Sequence, residues 1–443
     1  MTTIPRPPRE EQALREVGRT EVSRTTALSI GLLLLASVAS IPVLRAVGVG
    51  LAAPEERWAP FVGLRGALAE AREIAGEEGA LAANRRVLRG LHDFEGALED
   101  TAPFAEPVQR WGQWALTRCG GVGNERALVG RGGRLHYAPD VAVVSGQGFL
   151  EPAVLTRRFR SGESWERAPG PDPRPALRAL HGWLEERGAR LLVLPVPSKA
   201  AIEPEGYSRR FADGSPPLSN PSWERWTSWL DAEKIEWLDL RPVLEAEAGD
   251  AEAGDADAYL ERDSHWTPSS MEEAALALAA RLEPWLDPVA EDDPVLLRRQ
   301  AVVEGRGDLA VMLRLPEGRE PWPLQRVTVH PVTDDLGRGW RPTSGAAVLL
   351  LGDSFTNVFA DDGLGWGGGA GLAEQLAYRL QRPVDRLAQN AGGAWAARQA
   401  LRSELRSDPA RLDGVRVVVY QFAERELAFG DWREIEWPKR LGR

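Results

Sequence analysis

The chain has 443 residues, 43% of them hydrophobic, and a formal net charge of −11. That length suits two average domains or one large α/β domain with insertions, and the composition supplies a sizeable core. The negative balance and the lack of a Lys/Arg run argue against a nucleic-acid partner, while a single cysteine, Cys119, excludes an internal disulfide framework and a cysteine-rich zinc site.

The first predicted element is Thr25 to Leu44 (TTALSIGLLLLASVASIPVL), which holds no charge and lies between Arg24 and Arg45. At about 1.5 Å per residue its 20 residues span about 30 Å, the thickness of a bilayer's hydrocarbon core. Residues 1–24 carry five arginines, and acids appear soon after the stretch at Glu55 and Glu56. This pattern predicts a cytoplasmic tail over 1–24, a single transmembrane anchor over 25–44 and everything later outside. A cleaved signal peptide is the rival reading, but the apolar stretch is long for one and no clean A-x-A site follows.

Residues 45–112 read as charged and helical, with Pro54 and Pro60 before the run and Pro103 and Pro107 after it, consistent with a membrane-proximal stalk. The domain expected over 113–443 alternates helices with strands. PALRALHGWLEERG spaces Leu177, Leu180 and Leu184 on one face, stops at Gly188, and leads into the strand LLVLPV. WERWTSWL precedes the strand IEWLDL. TPSSMEEAALALAARL opens with Thr267 as N-cap and Pro268 at the first helical position. After AAVLLLGDS come the helix AEQLAYRLQ, the strand VDRLAQN, the helix AWAARQALRSEL and the strand VRVVVYQF. Such alternation predicts an α/β fold around a largely parallel sheet, where ligands gather beyond the carboxyl ends of the strands.

Ser354 falls at such an end, in Gly352-Asp353-Ser354-Phe355. A second small-residue turn, Gln389-Asn390-Ala391-Gly392-Gly393, follows one helix later. This pairing resembles the first two sequence blocks of the SGNH hydrolases, whose block-I serine is the nucleophile. Gly392, Gly393 and Asn390, with the Ser354 amide, are then the oxyanion candidates, since a donor must come within hydrogen-bond reach of the developing charge. A serine nucleophile needs a base, and the chain has five histidines. His265 stands out because Asp263 is two residues before it and a helix start follows; His92, His136, His181 and His330 have no carboxylate at that spacing. In an extended segment residues i and i+2 project to one side, so Asp263 can orient the imidazole and leave its other nitrogen for Ser354.

The arrangement D-x-H-W-T-P upstream of L-L-x-G-D-S-F resembles the alginate O-acetyltransferase family of the AlgJ/AlgX type, with its SGNH-hydrolase-like domain. In that family acid and base precede the nucleophile, a permuted order. NERALVGRGGRLHYAPDV, LVLPVPSKAAIEPE, GRGDLAVMLRLP and VVVYQFAEREL are similar to other family stretches, over about residues 120 to 430. Arg134 and His136 depart from the usual Trp and Phe, and Ser198 stands where Asn is usual. The resemblance implies a flavodoxin-like sheet with flanking helices and an inner-membrane protein whose domain faces the periplasm or exterior. It implies acetyl transfer onto a polysaccharide acceptor, and an acetyl-donating integral membrane O-acyltransferase as partner. No cofactor or metal is expected.

Lys199, which matches a family lysine, together with Trp266, Trp395 and Arg425, is a substrate-binding candidate, and Trp366 is a further candidate for stacking on sugars. Glu424-Arg425 replaces the block-III Gly-x-Asn-Asp and reads better as structural ion pairing. The acidic run Glu245 to Tyr259 lacks calcium-loop spacing and reads as a flexible loop. GLGWGGGAG, Gly363 to Gly371, has no following Lys-Ser/Thr and reads as a lip over the site. Two other functions stay open: an acetylesterase on the same fold, and a non-catalytic glycan-binding scaffold of an assembly complex.

Overall fold

The computed structural model describes Ser23, Thr25, Leu28 to Leu32 and Leu35, then residues 59–438 except 78, 101–104, 162–167, 212–214, 250–256, 290–294 and 391. The chain divides into two compact units, Met1–Gln109 and Arg110–Arg443. Among the described residues no helix is long and apolar enough to cross a membrane. The expected tail over 1–24 and the expected anchor Thr25 to Leu44 lie largely outside those residues.

In the first unit, helices Ala59–Glu77 and Ala80–Asp100 form an antiparallel hairpin. Phe61 meets Phe94 edge-on at 5.2 Å, and Arg86 pairs with Glu70 at 2.6 Å. Between these contacts Ala67 packs so close to Gly90 that a Cβ there would collide with it.

Among the described residues, all the strands lie in the second unit. A hairpin of β1 (Ala127–Val129) and β2 (Leu135–Tyr137) comes first. Then follow β3 (Arg190–Val196), β4 (Glu236–Trp237), β5 (Leu296–Arg298), β6 (Ala301–Gly305), β7 (Gln325–Val329), β8 (Val332–Asp334), β9 (Val348–Gly352), β10 (Asp385–Ala388) and β11 (Val417–Ala423). Five of them form the central sheet in the order β10-β9-β11-β3-β4, and every neighbouring pair is parallel. Strands β9 and β11 are buried throughout, which is why they read as unbroken apolar runs rather than alternating ones.

Side-chain alternation splits that burial between two cores. Leu192, Leu194, Leu350 and Val419 face one layer, where helices Pro268–Leu282 and Leu372–Leu380 contribute Met271, Leu278 and Leu376. Leu191, Val193, Leu351 and Val418 face the other, covered by Leu177 and Leu180 of Pro173–Glu185, Trp226 of Trp223–Ala232 and Leu401 of Gly393–Ser407. Thr267 caps its helix, with its hydroxyl accepting the Ser270 N–H at 3.4 Å. The expected strand IEWLDL pairs only at Glu236 and Trp237. It is an edge strand, and Asp239 ends it by accepting the Arg241 N–H at 3.0 Å to open the next helix. The acidic run is not a free loop throughout: Glu245 to Gly249 complete a helix, and Tyr259 is fully buried.

Candidate active site

Strand β9 delivers Ser354 to the carboxyl edge of the sheet. Asp353 caps the short helix Ser354–Asn357, its Oδ1 accepting the Phe355 N–H at 2.9 Å. Gln421 on β11 fastens this turn: its Oε1 accepts the Asp353 N–H at 3.0 Å and the Thr356 hydroxyl at 2.8 Å, and its Nε2 donates to Asp353 at 2.8 Å. The strand can run so close to the returning helix only because residue 352 is Gly, since a Cβ there would collide with Thr356 Oγ1. Ser354 is half-buried while residues 348–353 and 355–359 are all buried.

His265 arrives on a different element. Ala258 and Thr267, with the bridge between Tyr259 and Trp266, close a loop that carries residues 260–265 to the sheet edge. The loop is a series of turns and bends, not the extended segment expected from the spacing. Asp263 and His265 still share a side because Asp263 Oδ1 accepts the His265 backbone N–H at 3.0 Å, folding one residue over the other. The same oxygen lies 2.6 Å from His265 Nδ1, and His265 Nε2 lies 2.8 Å from Ser354 Oγ. An ionised carboxylate only accepts, so Nδ1 carries the proton and Nε2 is free to accept from the serine hydroxyl.

Two further residues complete the surroundings of Asp263, and the sequence reading had not assigned them this part. Its Oδ2 accepts the Asp308 N–H at 2.9 Å and the Trp366 indole N–H at 2.8 Å. Burial favours the protonated carboxyl, but His265 and these donors hold Asp263 well below the usual carboxylate range. Burial opposes protonation of His265, and the Asp263 charge against Nδ1 overcomes it, so the imidazole is raised above its ordinary value. Asp308 accepts from Ser264 at N (2.7 Å) and Oγ (2.6 Å) and approaches His265 Nδ1 to 3.9 Å. Although 29% of its side chain meets solvent, its buried setting beside the Asp263 charge pushes it up to about 6. Asp263, His265 and Asp308 hold ligand-type atoms within 4.8 Å of one another. Binding a metal there would displace the hydrogen bonds just named.

Trp366 corrects two expectations. It belongs to the core, with its ring against Gly305 and its N–H on Asp263, so it offers no face to a sugar. The glycine-rich segment around it is therefore anchored in the site at Trp366 rather than a free lip. Trp366→Phe removes one donor to a buried charge and leaves a cavity where the larger indole stood; it is expected to cost about 2–5 kcal/mol of stability and roughly tenfold in turnover. Chemical denaturation and acetyl-ester kinetics check both numbers.

The oxyanion candidates lie on the neighbouring strand. Ala388 of β10 pairs with Gly352, and Gln389 N–H donates to the Gly352 carbonyl at 3.1 Å, so the turn after β10 runs beside Ser354. Asn390 Oδ1 accepts from Asn357 Nδ2 at 2.7 Å, and its own Nδ2 donates to Asp361 at 3.2 Å. Gly392 and Gly393 open the helix Gly393–Ser407 with φ of 87° and 54°, and a side chain on Gly393 would collide with the Glu426 carboxylate. Glu426 already holds the Ala394 N–H at 2.9 Å.

Two substrate-binding candidates, Lys199 and Trp266, are placed differently from expectation. Lys199 is 1% exposed, and its ammonium donates to the carbonyls of Leu135 (2.9 Å), Leu260 (2.5 Å) and Glu261 (2.7 Å). It fastens the loop that carries Asp263 and cannot reach a sugar. Trp266 is 0% exposed in the core, edge-on to Phe355 at 5.4 Å. Arg425 is held by buried Asp140 at 3.1 Å, and Glu424 accepts from Arg241 at 2.7 Å, in line with the ion-pairing reading of these two residues. Trp395 remains half-buried, with the Arg433 guanidinium 4.8 Å from its ring.

Residues 159–424 match the family described as SGNH hydrolase-like domain, acetyltransferase AlgX. Solved structures similar to the chain include the O-acetyltransferase domain of Pseudomonas putida AlgJ, at 19% identity and a TM-score of 0.48, covering 69% of this chain and 93% of that one. Pseudomonas aeruginosa AlgX follows at 15% and 0.46, covering 68% and 66%. Bacillus cereus PatB1 stands at 10% and 0.39, covering 69% and 97%. No curated protein matches.

Proposed function

Because the chain belongs to the AlgX family of SGNH hydrolase-like acetyltransferases, matched over more than half its length, we propose that it moves acetyl groups onto hydroxyls of an exported polysaccharide through an acetyl-serine at Ser354. The observation that carries this reading is the unbroken hydrogen-bonded line from Asp263 through His265 to a serine at the sheet's carboxyl edge.

In the proposed reaction, Ser354 Oγ attacks the acetyl carbonyl and passes its proton to His265 Nε2. Backbone donors at Ser354 and at Gly392 or Gly393, with Asn390 beside them, stabilise the tetrahedral oxyanion. The donor's oxygen or sulfur departs with the proton from His265, leaving acetyl-Ser354. A sugar hydroxyl then gives its proton to His265 and attacks the ester, and Ser354 leaves with that proton. Asp263 stays ionised throughout and stabilises the imidazolium. An acetyl-donating integral membrane O-acyltransferase as donor, an inner-membrane anchor over 25–44, a stalk over 45–112 and a domain over 113–443 facing the periplasm or exterior belong to the same proposal. They rest on the sequence and the resemblance.

The test is acetyl transfer from an activated acetyl ester to a glycan acceptor by the purified chain, read by mass spectrometry of the glycan. Release of acetate to water alone would favour the esterase reading, and inertness of Ser354 towards serine-directed phosphonates the scaffold reading. The pH profile gives a second check. The working base is neutral His265, so kcat/KM for ester cleavage is expected to rise with pH, with a midpoint above the ordinary histidine value of about 6.5 because Asp263 favours the protonated ring. Asp308→Asn removes a second negative charge from beside that ring and is expected to shift the midpoint to lower pH. A shift upward, or a wild-type midpoint below 6.5, would remove His265 from the role of base.

A further inference from the structure

A second concavity opens beside the loop that carries Asp263. It encloses about 220 Å³ and is lined by Arg262, Arg306, Glu320, Trp322, Pro323 and Leu324. Arg262 directly precedes Asp263 and stands three residues before His265, so this wall lies within about 11 Å of chain from the base. The wall is held from behind: the Arg262 carbonyl accepts the Ala310 N–H at 3.3 Å, and Gly307, at φ 85°, packs so tightly that a Cβ would collide with that carbonyl.

Arg262 is 7% exposed and its Nε has no hydrogen-bond partner, although Nη1 meets Glu261 at 2.7 Å. Trp322 packs against the small core of Leu309, Leu313 and Leu315 and is half-buried. At the rim Arg306 donates to Glu320 at 2.8 Å, which sets a donor and an acceptor side by side.

This lining discriminates between ligand classes. A phosphate or carboxylate would meet Glu320 and the nearby Glu261 as well as the two arginines, so the charges offset. A purely apolar ligand would strip water from the Arg306–Glu320 pair and replace none of its hydrogen bonds. A pyranose ring suits both kinds of group: its C–H face can lie on Trp322, Pro323 and Leu324, while its hydroxyls accept from Arg306 and donate to Glu320. We infer that this cavity is a subsite for an uncharged sugar ring of the acceptor, flanking the residue that receives the acetyl group. The inference rests on the glycan-acceptor reading above and assigns that acceptor a class.

Calorimetry on the full chain with cellohexaose, chitohexaose and an oligomannuronate hexamer tests it. At least one neutral hexasaccharide is expected to bind more tightly than the uronate. Trp322→Ala is expected to weaken that binding about tenfold, the size of a well-made aromatic contact. The same variant should raise KM for the glycan in transfer assays while kcat stays close to wild type. Leu324 is exposed, so Leu324→Asn keeps the fold if Trp322→Ala does not, and a loss of about threefold is expected there. Binding of none of the three sugars, tightest binding of the uronate, or affinities unmoved by both variants would overturn the subsite. Sugar binding without any acetyl transfer by the wild type would instead count against the acetyltransferase reading and leave the subsite standing.

Discussion

Ser354→Ala is expected to lower acetyl-ester turnover by about 10⁴-fold or more while the fold and thermal midpoint stay near wild type. The hydroxyl is half-buried at a sheet edge, and its recorded side-chain bond is the one to His265, so its removal leaves no large cavity. His265→Ala should reach a similar floor, and the double variant should fall no further, because nucleophile and base act as one unit. Steady-state kinetics with a chromogenic acetyl ester, with circular dichroism as the check on folding, measures all three. In cells, the same Ser354→Ala change should remove polymer O-acetylation. Retention of full acetylation there would leave the chain as a scaffold.

The second large effect is expected at Asp263. This carboxylate accepts from four donors: the His265 backbone N–H, His265 Nδ1, the Asp308 N–H and the Trp366 indole. Asp263→Asn keeps the shape but turns an NH₂ towards at least one of those donors. If that NH₂ faces His265, it stabilises the tautomer with the proton on Nε2, which cannot accept from Ser354. Turnover should fall roughly 10³–10⁴-fold. Stability should fall as well, because donors in the core lose their acceptor. Asp263→Ala is expected to retain more activity than Ser354→Ala, since in the proposed reaction Asp263 orients and stabilises the ring without exchanging protons. An Asp263→Asn enzyme with wild-type kinetics would show that His265 needs no such partner.

Local physics made much of this molecule legible in the residues. Strands buried on both faces must be apolar without alternation, which is why LLVLPV, VLLLG and VRVVVYQF marked the centre of a parallel sheet. Thr267 before Pro268 marked a helix start, because cap and fixed φ act within one turn. Asp263, His265 and Ser354 stood out because a serine at a strand end and a carboxylate two residues from a histidine are both patterns within a few residues. The separation of 89 positions between His265 and Ser354 is another matter: only the fold sets the loop closed at Ala258 and Thr267 against the end of β9.

Long-range contacts decided the rest. Trp366 lies 103 residues from Asp263 and Asp308 lies 45 from it, so no window of sequence joins their donors to that carboxylate. Lys199 looked like a strand-end charge for substrate until folding surrounded it with three carbonyls from β2 and the loop at 260–261. A lysine's charge cannot stay buried without such acceptors, and which acceptors arrive depends on the packing of distant segments. Trp266 and Trp395 carry the same side chain near the same motifs, yet one is fully buried and the other half-open. The sequence by itself determined which residues prefer a core, a cap or a proton. Which of those preferences are met at the site was decided by the tertiary structure, because burial and hydrogen-bond partners come from segments that composition and spacing do not connect.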